Sequence, residues 1–417
     1  MDIKHIRSLM PNIDDMTYLN TGWSGPSPKY VVDAIKSRLE FESFNCPTSP
    51  EVLESAKQIT IESKALVSDL FKCQSDEVLL TDNTTDGINV VLNGLPWKPG
   101  DEVVLCDLEH PSVLLPAYNL QSSKGVRLRI VSLNGNASHK NVREAFSSVI
   151  TGRTRLVMFS HIQYSTGLRM PVSAIASVAH KVGARVLVDG AQGPGHVELD
   201  MNALGVDFYS SPGQKWLLGP DQTGALFIRR NIIPEIHPSR IGFGFSSNFN
   251  LQGRFDAVTH SIDKFSMSTT SSPLRAGYNA AVKKILKQDI SKIEQRHLEL
   301  ATRIKTGLTS ITGIQVLSPY EGSECSGLTT FSIDGMESNY VTHKLWKNYK
   351  ILVRSIESHQ AIRASTAFFN TEEEIDILIE AIKRLAKKRK KVALTPIAVK
   401  GRKKKQTVGF RKVGGAQ

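Results

Sequence analysis

Lys215 stands in the run Ser211-Pro212-Gly213-Gln214-Lys215-Trp216, and Trp216-Leu217-Leu218-Gly219-Pro220 follows it. A lysine that forms an imine must shed its proton near neutral pH, and an apolar, turn-rich stretch partly desolvates the amine and lowers its pKa. Twenty-six residues upstream, Asp189 ends the apolar run Arg185-Val186-Leu187-Val188-Asp189 and is followed by Gly190-Ala191-Gln192. A carboxylate there suits holding a ring nitrogen protonated; it equally suits capping the next turn. A lone loop lysine is by default a solvated charge, so neither residue argues by itself.

Two further segments carry chemistry. Thr81-Asp82-Asn83-Thr84-Thr85-Asp86-Gly87 reads as a strand giving way to a helix, whose free N–H groups and positive dipole end form a phosphate cradle. Thr and Asp cap helices everywhere, which makes that signal weak alone. His110, in Leu108-Glu109-His110-Pro111-Ser112, falls just past the strand-like run 102–106, where it can stack on an aromatic ring, move protons near neutral pH, or be a plain surface histidine.

The elements that must position these residues alternate. Short apolar, β-branched runs at 102–106, 126–133, 155–160, 185–189, 207–210 and 224–229 are separated by amphipathic stretches such as 141–150 and 172–182, the latter opened by Pro171. Alternation of this kind predicts an α/β fold with a largely parallel sheet covered on both faces, and ligands then collect at the carboxyl ends of the strands. After Pro273 the pattern becomes one long helical stretch to about Ile311. Strand-like segments 328–333 and 351–354 follow, then a closing helix opened by Thr371 with Glu374 three residues on, a capping box. This second unit reads as a smaller α+β domain.

Composition narrows the class. The 417 residues, 40% of them apolar, suffice for a large core. The net charge of +12 sits at one end: from Lys383 onward there are fourteen Lys and Arg and no acid, which leaves 38 basic against 40 acidic residues before it. The body is therefore near neutral. Cys46, Cys73, Cys106 and Cys325 are widely spaced and form no metal or disulfide framework, so reduced thiols and a cytoplasmic location are expected, with no metal site. Neither an apolar signal core near the start nor a membrane-length apolar run occurs, so neither export nor membrane anchoring is expected.

Taken together and in order, the four segments resemble the class V aminotransferase family, a group of pyridoxal-phosphate (PLP) enzymes that includes cysteine desulfurases, cystine lyases and isopenicillin-N epimerase. The likeness runs from Tyr18-Leu19-Asn20-Thr21-Gly22 to Glu374 and is closest to the cystine carbon–sulfur lyases. It implies the PLP-dependent transferase fold of type I: a large domain with a mixed, mostly parallel sheet and a smaller C-terminal α+β domain. The expected division is an N-terminal segment 1–29 packing with the small domain, a PLP-binding domain 30–275, a small domain 276–385 and a basic tail 386–417 without order.

The resemblance also implies roles. Lys215 carries PLP as a Schiff base and, once freed by substrate, takes the Cα proton. Asp189 pairs with the pyridine nitrogen, Gln192 bonds the ring hydroxyl, and His110 stacks on the ring. Thr84, Thr85 and Gln214 hold the phosphate. Thr269, in Ser266-Met267-Ser268-Thr269-Thr270, is the residue a neighbouring subunit lends to it, which implies a homodimer with shared active sites. Arg354 and Arg363 fall where the family binds the substrate α-carboxylate; Arg363 is favoured because a planar guanidinium suits bidentate binding, against the alternative of a structural salt bridge. Trp23 narrows the substrate pocket.

Departures refine the reaction. The loop Ser355-Ile356-Glu357-Ser358-His359-Gln360-Ala361 lacks the mobile cysteine a desulfurase uses to accept sulfur, and Cys325 lies about thirty residues upstream. Direct expulsion of a β-substituent remains: carbon–sulfur lyase chemistry on cystine, cysteine or a related amino acid, with His110 as a candidate proton donor to the leaving sulfur. Desulfurase, epimerase and aminotransferase are the alternatives within the family. Pro212 replaces a Ser or Thr that relatives use for the phosphate, and Gln163-Tyr164-Ser165 replaces a region that often supplies an asparagine. A function of another class, nucleic-acid binding through the Lys-rich tail, lacks interleaved aromatics beyond Phe410 and reads as an accessory.

Overall fold

The computed structural model describes residues 2–387. The expected tail lies outside the described residues except for Ala386 and Lys387, which finish the last helix, Ala386 with its side chain buried.

The principal sheet has seven strands: β1 (Val78–Thr81), β2 (Glu102–Cys106), β3 (Arg127–Val131), β4 (Thr154–Ser160), β5 (Arg185–Asp189), β6 (Phe208–Pro212) and β7 (Gly224–Ile228). Their order is β1-β7-β6-β5-β4-β2-β3. All neighbours from β6 to β3 run parallel, and β7 lies antiparallel to both β6 and β1. The continuous apolar runs are explained by burial on both faces. Val186 and Val188 join one core with Val104 and Phe159, while Leu187 joins the other with Val103, Leu105 and Met158, the period-two alternation of a strand. Helices α3 (Thr84–Gly94) and α4 (Pro111–Lys124) cover the second face through Ile88, Val91, Val113 and Leu120. Helices α5 (His139–Val149) and α6 (Val172–Lys181) cover the first through Val142, Phe146, Ile175 and Ala179.

A second, antiparallel sheet orders β8 (Ile314–Val316), β9 (Leu328–Ile333), β11 (Ala361–Ser365) and β10 (Arg354–Ile356) as β8-β9-β11-β10. Its core takes Phe331, Ile362 and Ala364 together with Leu300, Ile304, Ile375 and Leu378, and also Leu19 from the N-terminal segment. Thr17 and Tyr18 pair in parallel with Ile351 and Leu352. The capping box forms: Glu374 N–H donates to Thr371 Oγ1 at 3.3 Å and Thr371 N–H to Glu374 Oε2 at 3.0 Å.

The single long helix expected from Pro273 to about Ile311 is two. Ser272–Leu286 packs on helices α1 (Lys29–Asn45) and α2 (Pro50–Phe71) beside the large sheet, whereas Ile290–Thr309 faces the second sheet. The break falls at Asp289, whose carboxylate accepts Ser291 N–H at 3.1 Å and starts the second helix. Among the described residues no helix is long and apolar enough to cross a membrane, and no cluster of His, Cys, Asp and Glu is arranged to hold a metal ion.

Candidate active site

The carboxyl ends of β4, β5 and β6 deliver Ser160, Asp189 and Pro212 to one cavity of about 1140 Å³, into which the loop after β6 brings Gln214 and Lys215. The amine of Lys215 is pushed down to about 8: burial is the largest cause, Asp189 opposes it, and the cations Arg363 and Arg354 add to it. Asp189 is buried, and burial raises its carboxyl above the usual range, while Lys215 and the Ala191 N–H, 2.8 Å from Oδ1, pull it back. The N-terminal segment closes tightly over the lysine loop: Gly25 N–H donates to Gln214 O at 2.6 Å, and a Cβ on Gly25 would fall 2.4 Å from Lys215 O.

Behind the lysine, Trp216 is buried and donates Nε1–H to Gln192 Oε1 at 2.7 Å, while Gln192 Nε2 donates to Gly22 O at 2.9 Å. The acceptor of Gln192 is thus engaged, and its second amide N–H is what it has to offer a ring hydroxyl. His196 stacks on Trp216 at 3.8 Å between ring centroids and ties it to the second sheet by accepting Gly327 N–H at 2.8 Å.

The cradle forms where the strand-to-helix pattern indicates. Asn83 caps α3 by accepting Asp86 N–H, at 3.0 Å, which leaves the N–H groups of Thr84 and Thr85 in the first turn, without helix partners and on the cavity wall. Asp86 would oppose an anion there, but Arg240 pairs with it at 2.5 Å. Gln214 Oε1 is buried without a partner among the described residues.

His110 caps α4, its Nδ1 accepting Ser112 N–H at 3.1 Å, so the neutral ring carries its proton on Nε2. Burial first, then Lys215, Arg354 and Arg363, push the imidazole down to about 4. It meets Tyr164 edge-on, 4.8 Å between centroids.

At the outer wall the Arg354 guanidinium lies 4.2 Å from the Trp23 ring centroid, and Trp23 is 55% exposed. Arg363 is fully buried and lowered to about 9, burial being the largest cause and Arg354 the second. Its Nη1 donates to Tyr164 O at 2.9 Å, but among the described residues Nε and Nη2 have no partner and no carboxylate pairs with it. The structural salt bridge weighed above is therefore absent there.

Thr269 stands apart from Lys215 of its own chain. It is exposed, with φ +57°, on a neighbouring cavity of about 530 Å³ whose wall shares Asp82, Asp86 and Arg240 with the first. Sequence reasoning missed Arg240, and it missed Glu109, which is buried and bonded to Ser160 and Gln163; the signal for Glu109 was an acid directly before His110, just past the apolar strand 102–106. Cys325 lies in a different place, buried with Lys305 Nζ at 3.3 Å, and no cysteine lines the cavity.

The model of the family Aminotransferase class-V matches residues 17–378. A probable cysteine desulfurase of Methanothermobacter thermautotrophicus is 29% identical over 414 residues, covering 93% of this chain and 98% of its own. Isopenicillin N epimerase of Amycolatopsis lactamdurans is 26% identical over 397 residues, covering 89% and 96%. Among solved structures, the cystine C–S lyase C-DES in complex with its product cysteine persulfide superposes with a TM-score of 0.83 at 28% identity, covering 90% of this chain and 99% of C-DES. A C-DES variant with glycine covalently linked to the PLP cofactor superposes at 0.84 and 28%, covering 91% and 98%. With the matched span reaching from the N-terminal segment into the last helix and enclosing Asp189 and Lys215, the chain belongs to the class V aminotransferase family of PLP-dependent enzymes.

Proposed function

We propose that this chain is a carbon–sulfur lyase that eliminates the β-substituent of cystine, cysteine or a related sulfur amino acid. One observation carries the reading: a deprotonatable Lys215 and a buried Asp189 share a cavity lined by no thiol, and behind its Tyr164 wall Arg363, fully buried, holds Nε and Nη2 unpaired among the described residues.

The residues fit PLP. Two N–H groups of the α3 first turn match a phosphate, the Gln214 side-chain amide can present its N–H pair to the same anion, and the buried Asp189 matches a protonated ring nitrogen. Lys215, Asp189, His110, Gln192, Thr84, Thr85 and Gln214 would hold it. Bound there, it supplies an electron sink for the pair left at Cα. Lys215 Nζ, its midpoint drawn down to about 8 chiefly by burial, accepts the Cα proton. Having done so it is the group with a proton to give to the departing sulfur. His110 is held neutral, and its role shifts from acid to ring packing and an Nε2–H hydrogen bond. Arg363 orients the α-carboxylate, and Arg354 on Trp23 closes the outer wall.

The homodimer belongs to the same proposal. What supports it is Thr269 exposed beside a cavity that adjoins the α3 cradle, so that a second copy can lend its hydroxyl to the phosphate. Four free cysteines support a reducing, cytoplasmic setting. The test supplies L-cystine and L-cysteine to the PLP-loaded protein in separate reactions and quantifies pyruvate and alanine, with Lys215→Ala as control. Pyruvate that vanishes in the control is expected; alanine with persulfide makes the chain a desulfurase instead.

A further inference from the structure

Glu109 is buried beneath the cavity floor, and four donors converge on it. Cys106 S–H and Gln163 Nε2–H reach Oε1 at 3.0 and 2.8 Å; Ser160 N–H and Oγ–H reach Oε2 at 3.0 and 2.5 Å. An acid proton on Oε1 would face the Gln163 N–H or the thiol, one on Oε2 would force the Ser160 hydroxyl to turn from donor to acceptor, and an amide in its place would set N–H against N–H. The donor set therefore selects the carboxylate anion. No ion pair neutralises it among the described residues. The charge is also close to the reaction centre, because Ser160 is the strand partner of Asp189 in the β4–β5 register and itself lines the cavity.

We propose that Glu109 is a positioning residue of the reaction centre: a buried anion, fixed by Ser160, Gln163 and Cys106, whose field reaches past Asp189 and holds the nitrogen at Lys215 in its protonated form. The titratable groups around it are Cys106 at the end of β2, Asp189 at the end of β5, and His110 next in the chain, whose ring turns to Tyr164. Burial draws the Glu109 midpoint up to about 7, its three donor residues restrain it, and Asp189 adds to the rise. Its charge is therefore present above neutrality, the range in which the Lys215 amine, with its midpoint drawn down to about 8, also titrates. Neighbouring strands are about 4.8 Å apart, so the Glu109 charge, bonded to Ser160, lies within about 10 Å of Asp189, which acts on Lys215, and one unit charge at about that distance in protein surroundings moves a protonation midpoint by about one unit.

The inference rests on cofactor attachment at Lys215 and not on the sulfur substrate, so a chain that carries PLP and makes no pyruvate still tests it. In the holoenzyme the visible absorbance follows the proton on the Lys215–cofactor nitrogen and is titrated from pH 6.5 to 10 without substrate. Glu109→Gln is expected to lower the midpoint by about one unit, and Glu109→Asp, which keeps the charge, to stay near the parent. A folded, PLP-loaded Glu109→Gln with an unmoved midpoint overturns the proposal and leaves Glu109 a structural clip. Should that variant fail to fold, Ser160→Ala removes one donor and weakens the anion; a smaller downward shift supports the inference, and none refutes it.

Discussion

Arg354 and Arg363 stand directly opposite each other on the adjacent antiparallel strands β10 and β11. Like charges in that position repel: Arg354 is held below its usual range by burial, and Arg363 by burial and then by Arg354. A carboxylate arriving between them relieves the repulsion and satisfies the unpaired Nε and Nη2 of Arg363. Arg363→Ala should raise KM for the amino acid roughly thirtyfold, from about 2 kcal/mol of charge-assisted hydrogen bonding, and Arg363→Lys should rescue little because a point charge lacks the fork. Steady-state kinetics check this; an unchanged KM would move the carboxylate site elsewhere.

The same substitution has a second consequence at Lys215. The amine is drawn down to about 8 chiefly by burial, with Arg363 contributing in that direction. A lysine with a depressed midpoint is neutral and nucleophilic above that pH. The rate of PLP attachment to apoprotein should therefore rise through pH 8, and in Arg363→Ala the profile should move to higher pH by a fraction of a unit. Stopped-flow absorbance across pH 6 to 10 measures both.

Gly22 sits where a side chain would press on the substrate wall: an added Cβ meets Ser365 Oγ at 2.8 Å and Arg363 Nη2 at 3.1 Å. Gly22→Ala should displace the guanidinium, costing about 1–3 kcal/mol in packing and raising KM more than it lowers kcat. Thermal unfolding alongside kinetics separates the two effects.

Three buried histidines predict acid sensitivity of the apoprotein. Burial pushes His161 and His297 down to about 3 and His196 well below the ordinary range. Below about pH 6.5 the unfolded chain takes up protons that these imidazoles refuse in the fold, so stability is present above 6.5 and lost as pH falls, by about 1.4 kcal/mol per unit for each histidine. Glu109, raised to about 7, works in the opposite direction between about 7 and 4.5 and offsets one of the three. Urea unfolding at pH 7.5, 6 and 5 should show a falling midpoint; a flat profile would contradict the burial of these rings.

Cys325 tests the branch between lyase and desulfurase. Its sulfur is locked beside Lys305 and Pro319 O, away from the cavity. Cys325→Ser should keep pyruvate formation within about twofold of the parent, since surface-remote and conservative changes act mainly on stability.

Features that depend on neighbours within a few residues were legible in the chain order alone. The alternation of apolar runs and amphipathic stretches specified the six strands it marked, the Asn83–Thr85 turn, the Thr371–Glu374 cap, and the placing of Asp189 and Lys215 at strand ends. Periodicity, capping and strand termination are local, and they survive in one dimension. Tertiary structure decided what depends on crossovers. The break at Asp289 follows from where two sheets each need a helix. Glu109 meets Ser160 fifty-one residues away only because β2 and β4 are adjacent, and Arg354 opposes Arg363 only because of the β10–β11 register. Burial, and with it every shifted proton affinity at Lys215, His110 and Arg363, is likewise a property of the packed layers, since desolvation requires neighbours that the chain order does not supply.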